Sequence, residues 1–157
     1  MNINRRRFIY AGVAIAAAFT GMGHAFAAAQ TMTVYKDPNC GCCHLWAEAM
    51  TAEGFDVKIE DRDDLTPIKA RLGVPADLQG CHTAVVAGYF LEGHVPLEAV
   101  RKLLAEKPSI AGLAVPGMPS GSLGMGDDPN AAYDVFAVAK AAGTKPALLY
   151  LAIKSKT

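Results

Sequence analysis

The sequence predicts an α/β protein with a central mixed β-sheet flanked by helices. Three observations carry this. Two short runs, residues 31–35 and 55–60, alternate polar and apolar side chains, with a stretch of good helix formers between them. Two further strand-like runs, 81–87 and 89–95, meet at Gly88. Pro96 then opens an amphipathic helix that runs to about Glu106. Strands separated by helical patterns are the signature of a sheet with crossovers, and adjacent strand runs that of a hairpin.

Taken in order, Thr-Met-Thr-Val-Tyr over 31–35 is the first predicted strand. Asp37-Pro38-Asn39 turns the chain, and residues 43–53 form a helix with Leu45, Trp46, Ala49 and Met50 at helical spacing, stopped by Gly54. Trp46 is assigned to the core, the usual fate of a large aromatic on an apolar helix face. Residues 55–60 make the second strand, parallel to the first because a helix joins them. Residues 65–72 read as a short helix capped by Thr66, with Pro67 in its first turn and Gly73 at its end. The acidic group Glu60, Asp61, Asp63 and Asp64 reads as a solvated loop and cap rather than a hard-metal site, since nothing pairs it with further oxygen ligands. After the hairpin, Leu97, Val100, Leu103 and Leu104 form the buried stripe of the last helix. Residues 111–126 are too rich in glycine and proline for a regular element. Residues 133–139 form a late strand, residues 147–153 pair with it, and Gly143-Thr144 makes the turn. The order βαβ, short helix, ββ, α is a thioredoxin-like layout, which puts the loop around Cys40 at the end of the first strand.

Residues 1–29 read as an export signal rather than part of the fold. Asn4-Arg5-Arg6-Arg7-Phe8-Ile9 is a basic start, residues 9–19 are apolar or small, and Ala25-Phe26-Ala27 fits the small-x-small cleavage rule. Paired arginines followed by x-Phe-Ile look like a twin-arginine signal, with a general secretory signal as the alternative. The apolar run is shorter than the roughly 20 residues that span a bilayer, so stable membrane insertion is not expected. A periplasmic single domain over residues 30–157 follows, starting near Ala28 or Gln30 after cleavage. His24 and Met22 leave with the signal. Fifteen basic and fifteen acidic residues cancel, so nothing in the charge balance favours nucleic acid.

The chemistry concentrates at Cys40-Gly41-Cys42-Cys43. Cys40 and Cys43 form a C-x-x-C, Cys40 and Cys42 a C-x-C, and either pair can hold a soft metal ion. A C-x-x-C between a strand and a helix is also a redox arrangement, in which the helix N-terminus lowers a thiol pKa. A pair kept only for stability gains nothing from a third thiol beside it. In an oxidising compartment, four cysteines allow two disulfides or one metal site. Cys81-His82 adds two candidate ligands. The thioredoxin-like layout brings the start of the third strand, and so Cys81, beside the first-strand loop. His82 and His94 read either as ligands and their supports or as satisfied polar residues at strand ends. Met118 and Met125 sit among glycines in the loop, and each is either a thioether ligand or a core filler.

At Cys40-Gly41-Cys42-Cys43-x-x-Trp46, Gly80-Cys81-His82-Thr83-Ala84, Gly88-Tyr89-x-x-Glu92-Gly93-His94-Val95-Pro96 and Gly112-Leu113-x-Val115-Pro116-Gly117-Met118-Pro119-x-Gly121-Ser122 the chain resembles the thioredoxin-like, exported copper-associated proteins of the CopG type, long catalogued as a domain of unknown function. The resemblance covers about residues 31–125. It implies copper binding, a part in copper resistance and homeostasis, and copper redox chemistry. Carried over by position, it points first to Cys40, Cys42, Cys43 and Cys81, with His82, His94, Met118 and Met125 as neighbours. Family members often carry a histidine three residues after the tryptophan, where this chain has Ala49, with His44 nearby. Their loop commonly ends Ser-Pro-Gly-Met-Glu; here it is Ser122-Leu123-Gly124-Met125-Gly126.

The leading reading is a periplasmic copper-binding protein. Thiolates, imidazoles and thioethers together favour copper, and a thiolate-rich set favours Cu(I), often as several bridged ions. Zinc suits the same sulfurs. The expected partners are copper ions and other periplasmic copper-handling proteins. The rival reading is a thiol-disulfide oxidoreductase using Cys40 and Cys43, and a third is a copper oxidoreductase whose cysteines store electrons.

Overall fold

The computed structural model describes residues 29–140 and 147–155. The predicted export signal up to residue 28, with Met22 and His24, and the turn expected at Gly143-Thr144 lie outside the described residues. Along the chain run β1 (Thr31–Lys36), α1 (Gly41–Ala52), β2 (Asp56–Asp61), α2 (Thr66–Leu72), β3 (His82–Val86), β4 (Tyr89–Glu92), α3 (Leu97–Glu106), β5 (Ile110–Ala114), β6 (Tyr133–Ala139) and β7 (Ala147–Ile153). The strands form a seven-stranded mixed sheet in the order β2-β1-β3-β4-β5-β6-β7. The α/β class with a central mixed sheet is therefore the one the sequence predicts.

The β1-α1-β2 unit is parallel, with Thr31 opposite Asp56 and Lys36 opposite Asp61. β3 lies antiparallel to β1, and its first residue, His82, pairs with Lys36, the last of β1. That register puts the entry to β3 beside the loop that leaves β1. β3 and β4 make the expected hairpin, turning through Ala87 and Gly88, both with positive φ. The predicted second hairpin strand is shorter than residues 89–95: β4 ends at Glu92, and Gly93 turns the backbone left-handed so that His94 lies beyond the strand.

Side-chain alternation sorts the core into two layers. Leu91 and Leu113 join Met32, Val34, Ala84 and Val86 on one face, packed against Trp46, Ala47 and Met50 of α1 and Ala99, Val100 and Leu103 of α3. Phe90 and Ala114, the next residue on each strand, meet Val74 and Leu78 on the other face. The inward stripe of α1 is Cys43, Trp46, Ala47 and Met50, not the predicted Leu45-Trp46-Ala49-Met50 set. Cys43, Trp46, Ala47 and Met50 stand at i, i+3, i+4 and i+7 and make one continuous inward stripe, which leaves Leu45 facing solvent and 53% exposed. Thr66 is not the cap of α2. The Asp64 carboxylate accepts the Thr66 backbone N–H at 2.8 Å and satisfies that orphan donor, the capping role expected of the acidic group. The Thr66 side chain first, and then this N–H, hold the Asp64 pKa low.

β5 overturns the expectation that residues 111–126 hold no regular element: Ile110–Ala114 is a strand parallel to β4. Its glycine is the reason the pattern hid it. A Cβ on Gly112 would stand 2.2 Å from the Phe90 carbonyl oxygen and 2.5 Å from the Phe90 ring, so the strand approaches its neighbour where no side chain fits. Gly112→Ala is expected to destabilise the fold by about 3 kcal/mol, the upper range for overpacking against backbone. Chemical denaturation of the variant checks this.

Candidate metal centre

The loop that carries the first cysteine is pinned by β1. Lys36, buried at the strand end, donates to the Asp37 carbonyl at 3.0 Å and the Pro38 carbonyl at 3.4 Å and pairs with Asp61 at 3.0 Å. Asp37 accepts the Asn39 N–H through its side chain at 2.7 Å and the Cys40 N–H through its carbonyl at 3.0 Å. Cys40 is then the N-cap of α1, and Cys42 and Cys43 lie in the first turn, so three sulfurs sit at one helix end.

Cys40 and Cys43 are joined in a disulfide, and Cys42 and Cys81 are free. This is neither of the two states that a count of four cysteines suggested. Cys42 Sγ lies 3.6 Å from Cys40 Sγ. Cys43 Sγ lies 3.7 Å from the Cys81 carbonyl oxygen. All four sulfurs stand within 4.8 Å of one another, as the thioredoxin-like layout predicts for Cys81. Burial, followed by the neighbouring Cys42, pushes the Cys81 thiol up to about 12.

Cys81 also belongs to a second group. Donor atoms of Cys81, His82 and His94 likewise lie within 4.8 Å of one another. Cys81 Sγ is 3.1 Å from His94 Nε2 and 3.6 Å from His82 Nδ1. His94 is fully buried and its Nδ1 donates to the Leu123 carbonyl at 2.6 Å. A carbonyl can only accept, so the Nδ1 proton is fixed and the Nε2 lone pair faces Cys81. His82 is buried between the Trp46 ring at 4.5 Å and the His94 ring at 5.3 Å. Burial, then the neighbouring His94 and Lys69, pushes its pKa down to about 3, so the ring is neutral, the form that ligates metal. Its Nε2 is buried with no hydrogen-bond partner among the described residues. Soft sulfurs and two imidazoles, one of them with a ring nitrogen not committed to any hydrogen bond, make a donor set that fits a soft metal ion.

The glycine-rich loop closes on the same place. Leu123 supplies the carbonyl to His94, and a Cβ on Gly124 would meet the Cys42 carbonyl at 2.7 Å. Met125 follows, half-buried, its N–H held by the Ser122 carbonyl at 2.8 Å. Met118 is 56% exposed. His44 faces solvent and pairs with Glu48 at 3.3 Å. The structure thus brings together Cys40, Cys42, Cys43, Cys81, His82 and His94, places Met125 next to Gly124, and leaves Met118 on the outer loop.

Sequence reasoning missed three buried polar residues behind the site. Lys69 of α2, Thr83 of β3 and Glu92 of β4 form one hydrogen-bonded cluster. Burial raises the Glu92 pKa, against the pull of Lys69, Thr83 and Gly80. A lysine and a glutamate are ordinarily exposed, so their residue types carried no sign of this. Two signals were available: Thr83 and Glu92 stand in the motifs that carry the family resemblance, and the alternation of β4 turns Glu92 inward opposite Thr83.

A family described as a protein of unknown function, DUF411, matches residues 78–125. No curated protein matches the chain. Among solved structures, two forms of a copper resistance protein, CopG, match. Form 1 has 38% identity and a TM-score of 0.72 over 79% of this chain and 97% of its own. Form 2 has the same identity and TM-score over 80% and 98%. At that identity and coverage, with the sulfur and histidine groups in place, the chain belongs to the CopG copper resistance family.

Proposed function

We propose that this protein is a periplasmic copper-binding protein of copper resistance that holds Cu(I) on Cys40, Cys42, Cys43 and Cys81, assisted by His82, His94 and the Met118–Met125 loop. The observation that carries the reading is that Cys81 is common to two donor groups, one of four sulfurs and one of a sulfur with two imidazoles. A thiolate shared in this way can bridge two ions, so the reading is of more than one Cu(I) per chain. Export by the signal over residues 1–29 supplies the location, and among the described residues no helix is long and apolar enough to cross a membrane. Mass spectrometry of the mature protein should find it starting near Ala28 or Gln30.

The test is copper content. Reduced protein loaded with Cu(I) under anaerobic conditions, desalted and subjected to elemental analysis should retain more than one copper per chain and prefer it to zinc in direct competition. Retention of zinc alone would overturn the copper reading.

The Cys40–Cys43 disulfide at the start of α1 favours a second reading, a thiol-disulfide or copper oxidoreductase. Closing that bridge from two thiols releases two electrons and two protons, enough to take two Cu(II) ions to Cu(I). Disulfide reductase activity towards a protein substrate, measured with copper absent, separates thiol exchange from copper chemistry.

The methionines give a further expected result. Leu123 and Gly124 already sit against His94 and Cys42, and a thioether at Met125 or Met118 would add a soft donor without adding charge. Met118→Leu with Met125→Leu should lower Cu(I) retention about tenfold, a loss of about 1.4 kcal/mol. Stability should change by less than about 1.5 kcal/mol, since Leu for Met conserves volume. Unchanged retention and reoxidation rate in the double variant would remove the methionines from the site.

A further inference from the structure

We infer that the buried Lys69–Glu92–Thr83 cluster is a positioning device for the metal centre, locking the backbone that presents Cys81 towards the sulfurs of α1. The inference rests on the reading that those sulfurs hold copper. Lys69 has three N–H donors and finds three acceptors: the Gly80 carbonyl at 3.2 Å, the Thr83 hydroxyl at 3.1 Å and the Glu92 carboxylate. Glu92 in turn accepts the Gly80 N–H at 2.7 Å and the Thr83 O–H at 2.6 Å. Gly80, the residue before Cys81, is therefore held at both its N–H and its C=O.

The backbones on either side of the cluster are in contact. A Cβ on Gly80 would lie 2.6 Å from the Gly93 Cα, and one on Gly93 would lie 2.5 Å from the Val115 carbonyl. Gly93 donates to the His82 carbonyl at 2.9 Å, and Val115 donates to the Glu92 carbonyl at 3.0 Å. The segments that lead into Cys81 and His94 are thus set by one fully satisfied polar cluster and by glycines that admit no slack. Stability alone does not call for such a cluster, because apolar residues of similar volume often replace a buried ion pair at no loss. What the cluster supplies is direction: it touches the residue before Cys81, the residue after His82 and the residue two before His94. None of its hydrogen bonds reaches α1, so Cys40 and Cys43 serve as an internal reference.

The test compares two disulfides in the reduced, copper-free protein. Diamide, a two-electron thiol oxidant, is added, and the Cys40–Cys43 and Cys42–Cys81 bridges are followed by peptide mass spectrometry. Thr83→Val, which keeps the shape and removes the hydroxyl, and Lys69→Met should each slow the Cys42–Cys81 bridge about tenfold, the scale of a small misplacement of reacting groups. The Cys40–Cys43 bridge should close at the wild-type rate, and Thr83→Ser should restore the wild-type ratio. Cu(I) retention should fall about tenfold in Thr83→Val, as for other residues that orient ligands. Wild-type bridge ratios in both folded variants would overturn the proposal. So would slowing of both bridges together, or failure of both variants to fold, since the cluster would then act on stability only. If the wild-type protein retains no copper, the copper reading fails while the bridge ratios still decide the positioning role.

Discussion

Cys81→Ser is expected to strip the protein of most of its copper, lowering Cu(I) retention at least about 100-fold, or about 2.8 kcal/mol. Cys81 is the member common to both donor groups, so its loss leaves three sulfurs on one side and two imidazoles without a thiolate on the other. The serine oxygen is hard and uncharged and does not replace a soft thiolate for Cu(I). The fold should survive, because Cys81 is half-buried and its position is set by the backbone at Gly80. Cys42→Ser is the matched comparison. It removes one sulfur from the first group but leaves Cys81, His82 and His94 intact, so its copper loss should be smaller. Competition against a chromogenic Cu(I) chelator measures both. Wild-type retention in Cys81→Ser would refute the shared-ligand arrangement.

Oxidised protein is expected to take up at most half as much Cu(I) as reduced protein. With the Cys40–Cys43 bridge closed, two of the four sulfurs are no longer thiolates, and a disulfide sulfur is a poor metal ligand. The remaining free thiols, Cys42 and Cys81, hold the place open but supply half of the anionic sulfur. Retention by the bridged form should therefore fall at least about tenfold, or about 1.4 kcal/mol, and reduction followed by desalting should restore it. Cys40→Ser should remove the part of the redox dependence that comes from this bridge, leaving only what oxidation of Cys42 and Cys81 contributes. Equal copper uptake by the bridged and reduced forms would mean that Cys40 and Cys43 are not ligands, and the metal centre would have to rest on Cys81 and the histidines.

Much of the site was legible because its residue types are rare and clustered. A C-x-C-C before a helix, a Cys-His pair at a strand start and a Gly-His-Val-Pro after a strand carry chemistry in their spacing. The Cys81 contact was legible through topology, since a βαβ unit followed by an antiparallel strand puts the entry to that strand beside the first loop. The bridge was not legible, because spacing permits a C-x-x-C to be open, closed or metal-bound. Nor was the inward face of α1, where Cys43 and Ala47 take the places expected for Leu45 and Ala49.

By itself, then, the sequence determined the class of fold, the order of its elements up to α3, the β6–β7 pair and the identity of the candidate donors. Local periodicity and turn chemistry fix these, and each needs only neighbouring residues to be read. Tertiary structure alone decided that Ile110–Ala114 is a strand, that Lys69 meets Thr83 and Glu92 in one satisfied cluster, and that Leu123 fixes the His94 proton. In each case the deciding partner lies far along the chain: Phe90 for Gly112, Gly80 for Lys69 and Glu92, Leu123 for His94. A buried polar group is stable only when such a partner is present, and that condition is set by packing rather than by any local pattern.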